Sequence, residues 1–406
     1  MKLKKLLYLL PVLIVMFLAA GCIPAEFYFR PLPENPAAPV PVAAFLPLSG
    51  SNRIYAEQMS EGLRAAESRI NRNHGIGGRR LKLYILDTAG SEEGTATALK
   101  KAEKLGIIAA IAGFSTEEVS RLIKHADRLQ MPMIIPLATS DYHTDASPFV
   151  YRNCFSDLQQ MEVLAAHLYH WRKMSRGAVV TDSANDAEYS RGIARNFTQA
   201  IRDIGGTITI NTVLNAKEMI SNDQLNQLLS TEPEFIMISG SGKRAAEILK
   251  KLREAGFRGI ICGSDSWDDD QFFETLTGTE AGECIYPALF NPENTSREFR
   301  EFQKEFRQKF YHNPGVCETQ SFDALVFLAI GLENADNLVD FDFNWRKIRN
   351  FPGAAAYYTM GKKGALDRTI YLKSLGVDRD GEKLRVYPRL SSKMQYSKLN
   401  DYRVLE

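Results

Sequence analysis

From residue 40 onward, short apolar runs alternate with longer amphipathic stretches. The runs 42–48, 81–87, 107–112 and 133–136 have the length and aliphatic content of buried strands. Between them the spacing predicts helices over 54–73, over a stretch capped by Ser91 with Glu92 and Glu93 in its first turn, and over 117–129. After 149–153 the cycle restarts, with helix 158–171, strand 177–181, helix 188–204, strands 207–213 and 235–239, helix 243–255, and strands 259–262 and 284–288. Helices 296–310 and 318–334 follow. Strands separated by helices of this length require right-handed crossovers and parallel sheets covered on both faces. The expected fold is therefore α/β, with two doubly wound parallel-sheet lobes. Ligands in such sheets sit beyond the carboxyl ends of the strands, so residues directly after strands carry the interest. Later the pattern changes. Residues 357–360 and 369–374 read as strands around the turn Lys362-Lys363-Gly364, and Asp378-Arg379-Asp380-Gly381 is a further turn signal. Residues 386–406 are polar and irregular, and no regular element is expected there.

The amino-terminal segment follows different rules. Lys2, Lys4 and Lys5 precede an uncharged apolar run over 6–20, and Leu18-Ala19-Ala20-Gly21-Cys22 closes it with small residues and a cysteine. A secretory signal has this layout, and the apolar run is shorter than the roughly 20 residues that a spanning helix needs. The cysteine after Gly21 makes the segment (1–21) resemble a bacterial lipoprotein signal, which implies that Cys22 becomes the lipidated first residue. An uncleaved anchor, or an ordinary signal with Cys22 incidental, are the other readings. Residues 22–39 form a tether that Pro24, Pro31, Pro33, Pro36 and Pro39 keep extended. The globular part is thus expected outside the cytoplasm, lipid-anchored to a bacterial membrane and away from ATP and NAD pools.

Composition narrows the chemistry. With 50 Lys plus Arg against 49 Asp plus Glu, the net charge is +1, which gives no basis for a nucleic-acid partner. Beyond Cys22 the cysteines are Cys154, Cys262, Cys284 and Cys317, none in a Cys-x-x-Cys pair. Cys262 and Cys284 lie in neighbouring apolar runs and suit either a bridge or two buried thiols. Gly240-Ser241-Gly242-Lys243 fails as a phosphate loop, because Met237 and Arg244 stand where glycine and a hydroxyl are required. Gly75-Ile76-Gly77-Gly78 precedes a strand instead of following one, so it is no dinucleotide fingerprint. His167 and His170 are expected on a solvated helix face, and Asp268-Asp269-Asp270 lacks the spacing of a calcium loop. No metal, cofactor or nucleophile with a base is expected, and the chain does not read as an enzyme.

Strand-end residues carry a family resemblance. Pro47-Leu48-Ser49-Gly50 follows the first strand, Asp87-Thr88 ends the second, and Gly113-Phe114-Ser115-Thr116 ends the third. Ile134-Ile135-Pro136-Leu137-Ala138-Thr139-Ser140 ends the fourth, and Tyr151-Arg152-Asn153 precedes Ser156-Asp157 and Gln159-Gln160. In this order the motifs resemble the leucine/isoleucine/valine-binding proteins, the type I periplasmic binding proteins that serve ABC importers, over roughly residues 40–374. The resemblance implies two lobes joined by a three-segment hinge. Lobe 1 comprises 40–154 and 287–358, lobe 2 comprises 155–286 and 359–376, and the tail 377–406 has no assigned role. It also implies a monomer that holds an amino acid between the lobes and presents it to a membrane permease.

The ligand's carboxylate would be met by Ser115, Ala138 and Thr139 of the first lobe. Ser115 is equally placed to cap the helix that follows, and Thr139 to bond its own turn. Asp265 stands at the family's acidic position and would meet the ammonium, with a helix cap as its other reading. Tyr189 corresponds to a tyrosine that closes over the ligand, although Ser190 replaces the glycine that follows it there. Ser241 stands at the place of a second family tyrosine and leaves the pocket roomier, while Tyr55 and Phe114 would line the first-lobe side. The alternative function is a lipoprotein of the same fold that binds another protein, for example as a regulator of cell-wall synthesis.

Overall fold

The computed structural model describes residues 35, 37–184, 187–215, 218–361, 364–380, 383–395 and 403–405. Cys22, the signal and most of the tether lie outside them, as do Lys362 and Lys363 of the expected turn. β1 (Val40–Leu46) is buried along its whole length, which is why it is apolar throughout instead of alternating. It lies inside a five-stranded parallel sheet of order β2-β1-β3-β4-β5, formed with β2 (Leu81–Asp87), β3 (Ala109–Ala112), β4 (Met133–Ile135) and β5 (Val150–Arg152). β6 (Arg176–Asp182), β7 (Thr207–Leu214), β8 (Phe235–Ser239), β9 (Ile260–Cys262) and β10 (Cys284–Ala288) repeat that order in a second sheet, β7-β6-β8-β9-β10. Both sheets reverse direction of growth beside their first strand, and this switch point opens a crevice at the carboxyl ends.

The second sheet continues beyond β10. β11 (Phe351–Pro352) pairs with β12 (Tyr357–Met360), and β12 with β13 (Leu366–Asp380). β13 also runs antiparallel to β10 and forms a long hairpin with β14 (Lys383–Gln395). The region expected to be irregular from residue 386 therefore contains a strand. Val386 and Met394 are buried while Tyr387, Arg389 and Ser391 are exposed, so only one face of β14 carries an apolar signal. β15 (Arg403–Leu405) adds to its far edge.

The passages between the sheets are bound together by one buried side chain. Arg368 donates Nη1–H to the carbonyl of Asn153 at 3.3 Å and to Gln320 Oε1 at 2.7 Å. Its Nη2 donates to the carbonyl of Leu289, and Nε to that of Thr369 at 3.2 Å. Asn153 follows β5, Leu289 follows β10, and Arg368 itself lies in β13. Tyr358 Oη bonds Gln320 at 3.0 Å and Asp323 at 2.9 Å, which extends the network to the helix Val316–Leu332.

Three local expectations change. The helix expected over 117–129 is two pieces, Thr116–Ile123 and Ala126–Leu129, closed by Gln130 at a left-handed φ of 47°. The helix expected over 158–171 is α-helical over Asp157–Ala166 and continues as a π-helical turn, His167–Trp171. His167 is buried there, not solvated, and burial pushes its imidazole down to about 4. Cys262 and Cys284 are free thiols. They lie on adjacent strands, but their side chains enter separate hydrophobic clusters on opposite faces of the sheet, so the sulfurs cannot meet. Burial pushes Cys284 up to about 11 and Cys262 well above its ordinary value, which leaves both unreactive.

Candidate functional site

The crevice at the strand ends is a cavity of about 580 Å³. β3 delivers its first wall. Ser115 caps the helix Thr116–Ile123 in a capping box, with its Oγ accepting from Glu118 N–H at 3.3 Å. Glu118 in return accepts from the backbone N–H groups of Phe114 and Ser115 at 3.1 and 3.3 Å. A hydroxyl that accepts at a cap still has its own O–H to donate, so capping and ligand binding are compatible at Ser115. Tyr55, from the helix Arg53–Arg72, stacks on Phe114 with ring centroids 4.4 Å apart and planes 4° from parallel. β4 delivers Leu137, Ala138 and Thr139. Arg152, almost wholly buried, donates to the carbonyls of Thr139 at 3.1 Å and Ser140 at 2.5 Å, and Asp157 N–H donates to the same Thr139 carbonyl at 2.8 Å. The threonine's backbone is thereby fixed from two elements.

The second wall is acidic. Asp265 opens a 3-10 turn, Asp265–Trp267, just after β9. Its carboxylate accepts from Tyr189 Oη at 2.7 Å and Gln160 Nε2 at 2.9 Å, and its N–H donates to Gln160 Oε1 at 3.0 Å. Burial raises its pKa, and the Tyr189 and Gln160 bonds oppose that rise. Asp265 is not a helix cap. The helix Asp270–Thr275 is capped by Asp269, whose side chain accepts from Gln271 N–H. Asp269 also accepts from Tyr55 Oη at 3.0 Å, a bond across the cleft between residues 214 positions apart. Burial first, and the Asp269 charge second, raise the Tyr55 phenol well above its ordinary range. Other charges on this wall are matched: Asp268 with Lys373 at 2.7 Å, and Arg244 with Asp182 at 2.8 Å. Ser241 caps Gly242–Glu254 without a side-chain cap bond.

Asp157 lines a side pocket that shares Thr116 and Tyr189 with the main cavity. Burial pushes its carboxyl up to about 8, Asp141 adds to the rise, and a hydrogen bond from Thr139 opposes it. Gln160 Nε2 links Asp157 to the Asp265 side at 3.2 Å.

All eight residues singled out from the sequence as binding candidates, Tyr55, Phe114, Ser115, Ala138, Thr139, Tyr189, Ser241 and Asp265, line this one cavity. Sequence reasoning missed Thr116, Lys243, Asp269, Gln271, Leu289, Val316 and Cys317, which share the lining. It also missed the buried supports Arg152 and Gln160. Both lie in the strand-end motifs, but nothing in their spacing marks a side chain that reaches 105 positions along the chain, as Gln160 does to Asp265. Chemically, hydroxyls and a helix N-terminus face a part-buried carboxylate whose bonded partners, Tyr189 and Gln160, are neutral. Such a cleft matches a small molecule with an anionic and a cationic end.

Two doubly wound lobes with a polar cleft at their switch points define a two-lobed ligand-binding protein. The chain belongs to the periplasmic binding protein family, whose model matches residues 39–352. A Leu/Ile/Val-binding protein of Rhizobium johnstonii is 24% identical over 262 residues, 64% of this chain and 69% of that protein. An ABC transporter substrate-binding protein from Desulfitobacterium hafniense, solved in complex with Leu, superposes with a TM-score of 0.70 at 22% identity, covering 86% of this chain and 99% of that one. A solute-binding protein of an ABC transporter from Rhodopseudomonas palustris, in complex with 3,4-dihydroxybenzoic acid, has a TM-score of 0.69 at 14% identity, covering 89% and 98%. These relatives are solute-binding proteins, and family membership implies an extracytoplasmic location.

Proposed function

We propose that this chain is the lipid-anchored solute-binding component of an ABC importer and that it holds an α-amino acid with an aliphatic side chain between its lobes. The observation that carries the reading is the opposition of Ser115 and Thr139 to part-buried Asp265 across one cavity. The ligand carboxylate takes the hydroxyls and the N-terminus of Thr116–Ile123, and its ammonium takes Asp265. Tyr189 and Gln160 hold that acid in place. Leu289, Val316, Cys317 and the stacked pair Tyr55–Phe114 supply apolar surface for the side chain. The Rhodopseudomonas neighbour was solved with an aromatic acid that has no amine. A ligand of that kind would leave Asp265 without a cation, which favours the amino acid here.

The lobes comprise 40–154 with 287–358 and 155–286 with 359–376 in this reading, and the monomer closes by rotation about the three passages that Arg368 gathers. A ligand that favours the closed state shifts the population toward the form a permease recognises. Cys22 carries the lipid. Intact-mass measurement of the membrane-extracted protein is expected to show a diacylglyceryl group on a chain that starts at Cys22; an unmodified soluble product contradicts the anchor. A thermal-shift screen against amino acids and aromatic acids tests the ligand class. A true ligand at about 100 times its Kd adds roughly 2.7 kcal/mol of stability. Stabilisation by aromatic acids alone contradicts the assignment.

A further inference from the structure

We infer that Glu61, His312 and Glu318 form a binding site for a divalent transition-metal ion of the zinc class, outside the ligand cleft. One donor atom from each residue lies within 4.8 Å of the other two. The three come from separate places in the chain: the helix Arg53–Arg72, the turn after Arg297–Phe310, and the third position of Val316–Leu332. His312 stands 251 residues from Glu61, so no sequence spacing announces the group.

The geometry of the imidazole points to a cation. His312 Nδ1 lies 3.0 Å from the carbonyl oxygen of Asn313. A carbonyl only accepts, so Nδ1 carries a hydrogen, and Nε2 bears either a lone pair or a second hydrogen. That nitrogen faces Glu61 Oε2 at 2.8 Å. Two lone pairs at this distance repel unless a proton or a metal ion stands on Nε2. A backbone carbonyl that fixes the ring in this tautomer is the usual outer partner of a metal-ligating histidine.

Charge separates the two occupants. A proton on Nε2 pairs with Glu61 alone, while Glu318, only 2% exposed, accepts from Gly315 N–H at 2.9 Å. A divalent ion on a neutral imidazole and two carboxylates balances the whole group. Backbone packing also holds the frame: a Cβ on Gly62 would come within 2.1 Å of the carbonyl oxygen of Glu318, so the helices are in close contact beside the two acids. Metal–ligand distances of about 2.0–2.2 Å place tetrahedral donors about 3.4 Å apart. Rotation of the more exposed side chains, Glu61 and His312, would open their 2.8 Å contact and bring both toward Glu318. One imidazole with two carboxylates suits zinc, with a fourth position left for water.

The test uses the full chain in detergent, without a polyhistidine tag and stripped by a chelator, titrated calorimetrically with Zn²⁺ and spectroscopically with Co²⁺. The expected result is one ion per chain, a visible Co²⁺ absorption band, and a Zn²⁺-dependent rise in Tm. His312→Gln, at a part-exposed position, is expected to lose all three signals while its metal-free Tm stays at the wild-type value. Glu61→Gln is expected to weaken Zn²⁺ binding. Absence of stoichiometric binding to the wild type, or binding that is unchanged in His312→Gln, overturns the site.

Discussion

At the scale of single residues, the cleft depends on side chains that serve two partners at once. Ser115 caps a helix with its oxygen, which still leaves the hydroxyl a hydrogen to donate. Ser115→Ala and Thr139→Ala are each expected to weaken binding of an identified ligand by about 1.5–3 kcal/mol, the worth of a hydrogen bond to a charged group. Titration calorimetry checks this, and unchanged affinity in both folded variants leaves Ser115 as a cap and Thr139 as a partner of Asp157. Asp157 makes a second prediction, in pH. Its folded pKa of about 8 lies above the ordinary carboxylate value. The native state therefore holds a proton that the unfolded chain has lost, and stability falls as pH rises from about 4 toward 8. Asp157→Asn removes that loss. In ligand-free melts the variant is expected to gain Tm relative to wild type between about pH 5 and 8, and an offset independent of pH contradicts the buried-acid account.

At the scale of elements, burial on both faces decided what the sequence could reveal. β1 and β8 are buried throughout and stood out as apolar runs. β14 has one wet face and a proline at position 388, and it read as irregular polar chain. Four acids stand within 265–270, and only the packed structure shows that Asp269 caps the helix while Asp265 turns inward. The faces of Cys262 and Cys284 likewise depend on strand register, which composition does not encode. Binding candidates were legible because strand ends are marked by turns and small polar residues. Their supports were not, because Arg152 and Gln160 act through side-chain contacts to other elements that only folding brings near. One crossing is tight enough to test alone. Gly62 lets the helix Arg53–Arg72 lie against the backbone at Glu318. Gly62→Ala is expected to cost about 1–3 kcal/mol by overpacking, read from denaturant unfolding; wild-type stability would mean that the helices separate easily.

At the scale of the whole molecule, two sheets of the same order face each other across a cleft, and the chain passes between them beside one guanidinium. Arg368, in β13, bonds carbonyls of the segments that follow β5 and β10, so three passages of the chain meet at one side chain. Tyr55 and Asp269 join the two walls of the same cleft. The central claim is that this cleft closes on both charged ends of an amino acid, with Asp265 as the cation's partner. The most direct measurement is calorimetric titration of leucine and of its deaminated analogue, 4-methylpentanoate, into wild type and Asp265→Asn. The account predicts that leucine binding weakens by about 2–5 kcal/mol in the variant, because the ammonium loses its buried counter-charge, while the weaker binding of 4-methylpentanoate changes little. Leucine affinity equal in the two proteins, or the absence of amino-acid binding to wild type, would contradict it.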